Sequence, residues 1–339
     1  MGTRVSFVVI AYNEASNIGR TLSAIVSLAG LADYEVVVVN DGSGDATADV
    51  VREHAAANPN IKLIDLPRNR GRGYARSTGI AAAEGELIAT VDADIILPAD
   101  WLRRAESALA GHDAVGGTAV PDGDVAYVYQ VTRLVPRIVG HTTAVTGSNA
   151  LYRRQVFDVV AFDPALREGE DVALNQATTR QGLSFSTVPG LLVEHIEKKS
   201  FRQALRWLFT TGKGATRQLL VYRQIRVPDL AAGAFLAGLA AGVAIAVLVT
   251  PFGVALPVLL LAAIAGQHVR SRFETPRGRW RSAAAAIAID GALLLAYFTG
   301  RVAGLGWLFG QRPGSSGSGI PRTESASRAR DTSPASAAK

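Results

Sequence analysis

The 339-residue chain contains no cysteine. That excludes a disulfide framework and thiolate metal centres, and it fits a reducing compartment. Two nucleotide-binding signatures are missing as well. The glycine-rich segment Asp41-Gly42-Ser43-Gly44-Asp45 lacks the G-x-G-x-x-G spacing of a dinucleotide fold, and so does Arg70-Gly71-Arg72-Gly73-Tyr74-Ala75-Arg76. There is no Walker A lysine. Charge is also missing from one long stretch: residues 230–250 are 21 positions without a charged side chain.

What is present is unevenly distributed. The net charge of +6 hides an acidic first part, with 16 Lys+Arg against 24 Asp+Glu over residues 1–197. Residues 198–339 carry 19 against 5. This asymmetry argues against a nucleic-acid surface spread over the chain and for a soluble domain joined to a part that meets anionic lipid. Residues 230–250 are long enough to cross a hydrocarbon core of about 30 Å at about 1.5 Å per residue. The Pro251-Phe252-Gly253 turn and the apolar residues 254–266 predict a second, short span. Arg223 and Arg226 precede this hairpin, and Arg270, Arg272, Arg277, Arg279 and Arg281 follow it, which predicts cytoplasmic flanks and an outside turn.

A third apolar stretch, residues 283–310, contains Asp290 and Arg301. Each charge would cost about 2.5–3.5 kcal/mol at a helix centre, so either a third span or an interfacial helix is expected. Residues 311–339, rich in Ser, Ala, Gly and Pro, are expected to be disordered. The N-terminus predicts no cleavable signal, because Val5-Ser6-Phe7-Val8-Val9-Ile10 already reads as a core strand.

In residues 1–197, apolar runs at 5–10, 35–39, 61–66 and 87–91 alternate with helical stretches at 16–29, 45–57 and 73–83. Short Val- and Ile-rich strands separated by helices predict an α/β fold with a mainly parallel sheet covered on both faces. Ligands of such sheets bind beyond the carboxyl ends of the strands. Glu14, Asp41, Asp92 and Asp94 fall there. Asp92-Ala93-Asp94 ends an apolar strand, and in an extended chain its two carboxylates project together while Ala93 points away. Their mutual repulsion is relieved if a divalent cation sits between them and a phosphate.

Ala11-Tyr12-Asn13-Glu14, Val39-Asn40-Asp41-Gly42-Ser43-Gly44-Asp45, residues 69–79 and Asp92-Ala93-Asp94 together resemble the nucleotide-binding half of family 2 glycosyltransferases with the GT-A fold. Gly147-Ser148-Asn149, Glu168-Gly169-Glu170-Asp171 and Gln203-Ala204-Leu205-Arg206-Trp207 extend the resemblance to residue 207. It implies a GT-A catalytic domain with a mixed, mainly parallel sheet over residues 1–197, basic interfacial helices over 198–227, a membrane region with C-terminal transmembrane helices over 228–310 and a tail over 311–339. It also implies that Tyr12, Glu14, Asp41, Arg72, Arg76 and Asp92 contact a nucleotide-sugar donor. Asp94 would ligate Mg2+ or Mn2+, with His195 as a weaker candidate ligand. Asp171 would be the general base, expected in the first turn of a helix over residues 172–181. Asn149, Glu170, Gln203, Arg206 and Trp207 would serve the acceptor and the diphosphate.

One base and no positioned nucleophile imply single displacement with inversion. The Glu170-Asp171 pair with Q-x-x-R-W resembles processive polysaccharide synthases, but two or three spans are too few for a polymer channel. Transfer of one sugar to a polyprenyl phosphate or glycolipid at the cytoplasmic face is therefore expected, with a processive synthase as the alternative. A sugar-1-phosphate nucleotidyltransferase fits less well, because Gly2-Thr3-Arg4 precedes the first strand instead of following it.

Overall fold

The computed structural model describes residues 4–28, 30–121, 145–196, 200–222, 237, 241, 244 and 283–306. The four expected strands are β1 (Val5–Ala11), β2 (Tyr34–Asn40), β3 (Ile61–Asp65) and β4 (Leu87–Asp92). Between them run α1 (Ile18–Val26), α2 (Thr47–Ala57) and α3 (Arg72–Ala82). The chain continues through β5 (Ile95–Ile96), α4 (Trp101–Leu109), β6 (Ala114–Pro121), β7 (Asn149–Arg153), α5 (Val156–Val159), α6 (Glu170–Arg180) and β8 (Phe185–His195). Two long helices follow, α7 (Phe201–Tyr222) and α8 (Ala283–Gly304).

The eight strands form one sheet in the order β3-β2-β1-β4-β7-β6-β8-β5. β1 pairs in parallel with β2 and β4, and β2 with β3, so the carboxyl ends of these strands share one rim. Beyond β4 the pairing becomes mixed, as the GT-A resemblance implies. β4–β7, β6–β7 and β5–β8 are antiparallel, while β6 and β8 run parallel across a bulge between Gly116 and Thr118. The sheet is thus mixed.

Alternation along β1 explains the two buried faces. Val5, Phe7, Val9 and Ala11 pack with Ile18, Leu22 and Ile25 of α1 and with Trp101 and Leu102 of α4. Val8 points the other way, towards Tyr152, Phe162 and Leu174, and Ile10 packs with Val37, Val39 and Ala75. Asp92 closes β4, but Ala93 and Asp94 turn out of the strand before β5, so the expected extended Asp-x-Asp is instead a strand end plus a turn. Ala93 does point into the core, and its carbonyl accepts from the Thr21 hydroxyl at 2.8 Å.

Among the described residues no helix is long and apolar enough to cross a membrane. The spans expected over 230–250 and 254–266 and the tail at 311–339 lie outside the described residues, apart from isolated helical positions. The third apolar stretch forms α8, which lies along α7 instead of standing as a clear span. Ala204 and Leu208 of α7 bury Leu293 of α8, flanked by Trp207, Ala296 and Tyr297. The two backbones approach closely: a Cβ on Gly212 would meet the Tyr297 carbonyl oxygen at 2.1 Å, and one on Gly300 the Phe209 carbonyl oxygen at 2.0 Å. Arg301, which would burden a span, is buried in this contact and donates to the Tyr297 hydroxyl at 3.2 Å.

The rim opposite the carboxylates is tied by a buried acid. Glu35 accepts from the Ser6 hydroxyl at 2.7 Å, the Glu84 backbone at 2.6 Å and Lys62 Nζ at 2.9 Å. Burial alone would raise its pKa, but the donors of Ser6, Glu84 and Lys62 outweigh burial and hold it below the ordinary 4.5. A depressed carboxylate stabilises the fold above its unfolded pKa, and that stability is lost as pH falls through the folded value. Glu35→Gln is therefore expected to lower stability at pH 7 by about 1–3 kcal/mol. Thermal unfolding against pH should show the gap to wild type closing below about pH 4.5. A gap that stays constant into acid would contradict this role.

Candidate active site

Two loops at the rim are laced together. Asn13, in the left-handed region at φ 58°, donates its backbone N–H to Ser43 Oγ at 2.8 Å. Its side-chain oxygen accepts from the Gly44 backbone at 2.8 Å. Glu14 donates its N–H to Thr47 Oγ1 at 2.8 Å, and its carboxylate accepts from Asn17 Nδ2 at 2.7 Å. Tyr12 stands beside them, half exposed.

Asp41 is buried, and its two oxygens accept the backbone N–H groups of Arg70 and Gly71 at 2.7 and 2.8 Å. Burial pushes its carboxyl up, against the pull of those two donors. Gly42, at φ 66°, lies under the Arg68 backbone, where a Cβ would stand 2.3 Å from the Arg68 carbonyl carbon. The aspartate expected to contact the nucleotide-sugar donor therefore also fixes the loop before α3.

Arg76 departs most from expectation. Predicted at the nucleotide, it is instead almost wholly buried on α3. Nη2 donates to Asp92 Oδ1 at 2.5 Å, Nη1 donates to Glu170 Oε1, and Nε donates to the Gly147 carbonyl at 3.2 Å. The guanidinium lies 5.7 Å over the Phe162 ring. Burial disfavours its charge, yet Asp92 and Glu170 outweigh that and raise its pKa. Burial likewise pushes the carboxyls of Asp92 and Glu170 up, opposed chiefly by Arg76. Gly147 is required beside it, since a Cβ there would lie 2.8 Å from Arg76 Cζ. The residue left to reach a diphosphate is Arg72, one turn earlier. Its side chain is 44% exposed, and its Nε lies 3.8 Å from Glu170 Oε2.

Asp94 and His195 are brought together by the short β5–β8 pairing, with His195 Nε2 2.9 Å from Asp94 Oδ2. The Ile196 N–H donates to the Asp94 carbonyl at 2.8 Å and locks the turn. Among the described residues no three His, Asp or Glu side chains gather into a self-contained cation site. A carboxylate fits a hard cation whose remaining ligands are diphosphate oxygens and water, which is how Mg2+ is usually held at phosphates, while the imidazole beside it suits a transition-metal ion better than Mg2+.

The segment carrying the candidate base packs on the donor side. Its carbonyls at Arg167 and Leu166 accept the N–H groups of Arg72 and Gly73, the otherwise unpaired donors of the first turn of α3. A Cβ on Gly73 would stand 2.2 Å from the Asp163 carbonyl oxygen. The helix expected from residue 172 begins at Glu170, after Gly169 at φ 75°. Glu170 is buried, its Oε2 lacks a hydrogen-bond partner, and Asp171 is half-buried in the same first turn.

Two expected acceptor residues have other partners. Asn149 is wholly buried at the start of β7; its Oδ1 accepts from Trp101 Nε1 at 2.8 Å, and Nδ2 donates to the Leu191 carbonyl at 3.4 Å. It joins α4 to the sheet and faces no opening. Gln203 Oε1 accepts the Ser200 N–H and hydroxyl, both at 2.8 Å, while Ser200 Oγ accepts the Gln203 N–H at 3.4 Å. This is a reciprocal capping box that starts α7. Its Ser-x-x-Gln signal was legible in the sequence, hidden behind the Q-x-x-R-W pattern. Arg206 is exposed, and Trp207 packs half-buried against α8.

A Glycosyl transferase family 2 model matches residues 6–160, spanning both rim loops, Arg76 and the D-x-D turn. The glycosyltransferase AglE of Haloferax volcanii is 30% identical over 220 residues, covering 62% of this chain and 72% of that protein. The chain belongs to glycosyltransferase family 2. An undecaprenyl-phosphate 4-deoxy-4-formamido-L-arabinose transferase of Aeromonas hydrophila is 31% identical over 166 residues, which are 46% of this chain and 51% of that one. A mannosyltransferase of Pyrobaculum calidifontis, solved with GDP-mannose and Mn2+, superposes with a TM-score of 0.56 over 87% of this chain and 86% of its own, at 21% identity. That likeness gives the fold, GT-A, and the family makes the chain a glycosyltransferase using nucleotide-sugar donors.

The capping box yields a direct check. Gln203→Glu preserves the reciprocal pairing and is expected to leave thermal stability near wild type, while Gln203→Ala, which leaves the Ser200 cap but loses its own hydrogen bond, costs about 0.5–1.5 kcal/mol. Equal losses in both variants, read by thermal denaturation followed by circular dichroism, would contradict the capping role.

Proposed function

We propose that this glycosyltransferase is an inverting, Mg2+- or Mn2+-dependent enzyme that moves one sugar from a nucleotide-sugar to a membrane-associated acceptor, a polyprenyl phosphate or a glycolipid, at the cytoplasmic face of the cell membrane. The observation that carries the reading is the Arg76 bridge, which draws Asp92 of the D-x-D to Glu170, the neighbour of Asp171. Donor and acceptor chemistry thereby meet at one rim.

Asp94 and His195 are the residues that would hold the cation. Bound there, it would neutralise charge growing on the departing diphosphate. Arg72, exposed at the mouth, supplies a second positive charge to the same oxygens. Asp171 takes the proton of the acceptor hydroxyl as its oxygen bonds to the anomeric carbon. The bond from that carbon to the diphosphate breaks, and its electron pair leaves with the nucleoside diphosphate. Asp45 keeps the rim loop in place: burial would raise its carboxyl, but donors from Thr47 and Ala15 hold it below the ordinary value.

Three features favour a membrane acceptor. Arg202, Arg206, Lys213 and Arg217 recur on one face of α7 at offsets of 0, 4, 11 and 15 residues. α8 leaves Leu295, Val302 and Leu305 exposed. Basic side chains on α7 and exposed apolar side chains on α8 suit an anionic membrane surface, and residues 230–266 have the length and apolarity of an anchor. The Aeromonas hydrophila relative, by its name, acts on undecaprenyl phosphate.

Membranes carrying the protein, incubated with labelled sugar nucleotides, are expected to yield a product that extracts into organic solvent. A water-soluble polymer would contradict single transfer and favour a processive synthase, the reading that Q-x-x-R-W suggests. Asp171→Asn is expected to lower transfer by about a hundred- to ten-thousandfold. Its nucleotide and cation binding, measured by calorimetry, should match wild type; undiminished transfer would exclude Asp171 as the base.

A further inference from the structure

Arg76 stands between two parts of the site that are far apart in sequence. Asp92 lies at the end of β4, Glu170 opens α6, and the guanidinium joins them while a third N–H holds the Gly147 carbonyl. A guanidinium is planar, so three such bonds fix the relative position of all three partners, which an ammonium group cannot do. The fit is tight on every side: Gly147 leaves no room for a Cβ, and Phe162 covers one face. Two carboxylates share one buried positive charge, and taking an anion from one side leaves the guanidinium wholly with the other.

We propose that Arg76 is a positioning residue that couples cation and nucleotide binding at the D-x-D to the placement of the base-bearing helix α6. Glu170 acts on the donor site through it. With Glu170 in place, the guanidinium is divided between two carboxylates and holds Asp92 and the first turn of α6 in fixed relation. Without that anion the guanidinium is committed to Asp92, the neighbour of the cation ligand Asp94, and the cation is bound more weakly. The reverse also follows: a cation and diphosphate at the D-x-D draw on Asp92, and the guanidinium then holds Glu170, and with it Asp171, more firmly. This rests on the donor-site reading above.

Mn2+ binding, followed by electron paramagnetic resonance with UDP and in parallel with GDP, tests the coupling without any need for turnover. Glu170→Gln is expected to raise the Mn2+ dissociation constant severalfold. Loss of a nearby negative charge would do the same by simple Coulomb attraction, so the deciding comparison is made in Arg76→Lys, which keeps the charge and loses the fork. There Glu170→Gln should have little further effect, a coupling of roughly twofold to a hundredfold for groups in one network. Arg76→Lys itself should lower kcat more than it raises the donor KM, with its thermal midpoint recorded beside it. An equal effect of Glu170→Gln in both backgrounds would overturn the proposal, as would an Arg76→Lys protein that unfolds at room temperature yet regains full kcat when stabilised by cold. Absence of Mn2+ binding by wild type with either nucleotide would overturn the donor-site reading itself, and the coupling with it.

Discussion

A buried guanidinium needs anions, and the rest of the site is arranged around that need. Arg76 sits inside the protein, where an unpaired charge would cost several kcal/mol. Asp92 and Glu170 supply the compensating charge, Gly147 supplies a carbonyl and the empty space, and Phe162 closes one face. The carboxylates that an Asp-x-Asp motif brings to a sugar nucleotide are thus not equivalent. Asp92 is held from within by Arg76, while Asp94 is turned towards His195.

The same economy governs the backbone around it. Asp41 spends its oxygens on the Arg70 and Gly71 N–H groups, and the next two N–H groups go to carbonyls at 166 and 167. The first N–H groups of α3 are therefore taken up by protein carbonyls, and in the proposed site phosphate recognition is assigned to side chains, Arg72 and the Asp94–His195 pair. Gly71 at φ 95° and Gly73 permit these contacts, since a Cβ on either would collide with the 163–167 segment. Donor loop and base-bearing segment form one packed unit.

Periodicity made the first half of the fold legible. Apolar runs rich in Val, Ile and Leu marked β1 to β4, and the carboxylates after them marked the rim, because ligands of parallel sheets bind outside the carboxyl ends of the strands. The antiparallel part was not legible: β6 and β8 are broken by glycines and a bulge, and their pairing with each other and of β6 with β7 depends on contacts far along the chain. Residue types marked the site without telling which polar groups face inward. Asn149 and Arg76 read as ligand contacts, but Trp101 and the two carboxylates claim them. Gln203 carried two meanings in one motif, and the local one, a helix cap, is the one its hydrogen bonds show.

In the proposed single displacement the acceptor oxygen attacks the anomeric carbon from the face opposite the diphosphate. The most direct measurement is therefore the anomeric configuration of the transferred sugar, determined by NMR on the first product formed. An α-linked nucleotide-sugar should give a β-linked product. Retention of the α configuration would contradict a single displacement driven by Asp171, and with it the assignment of the site.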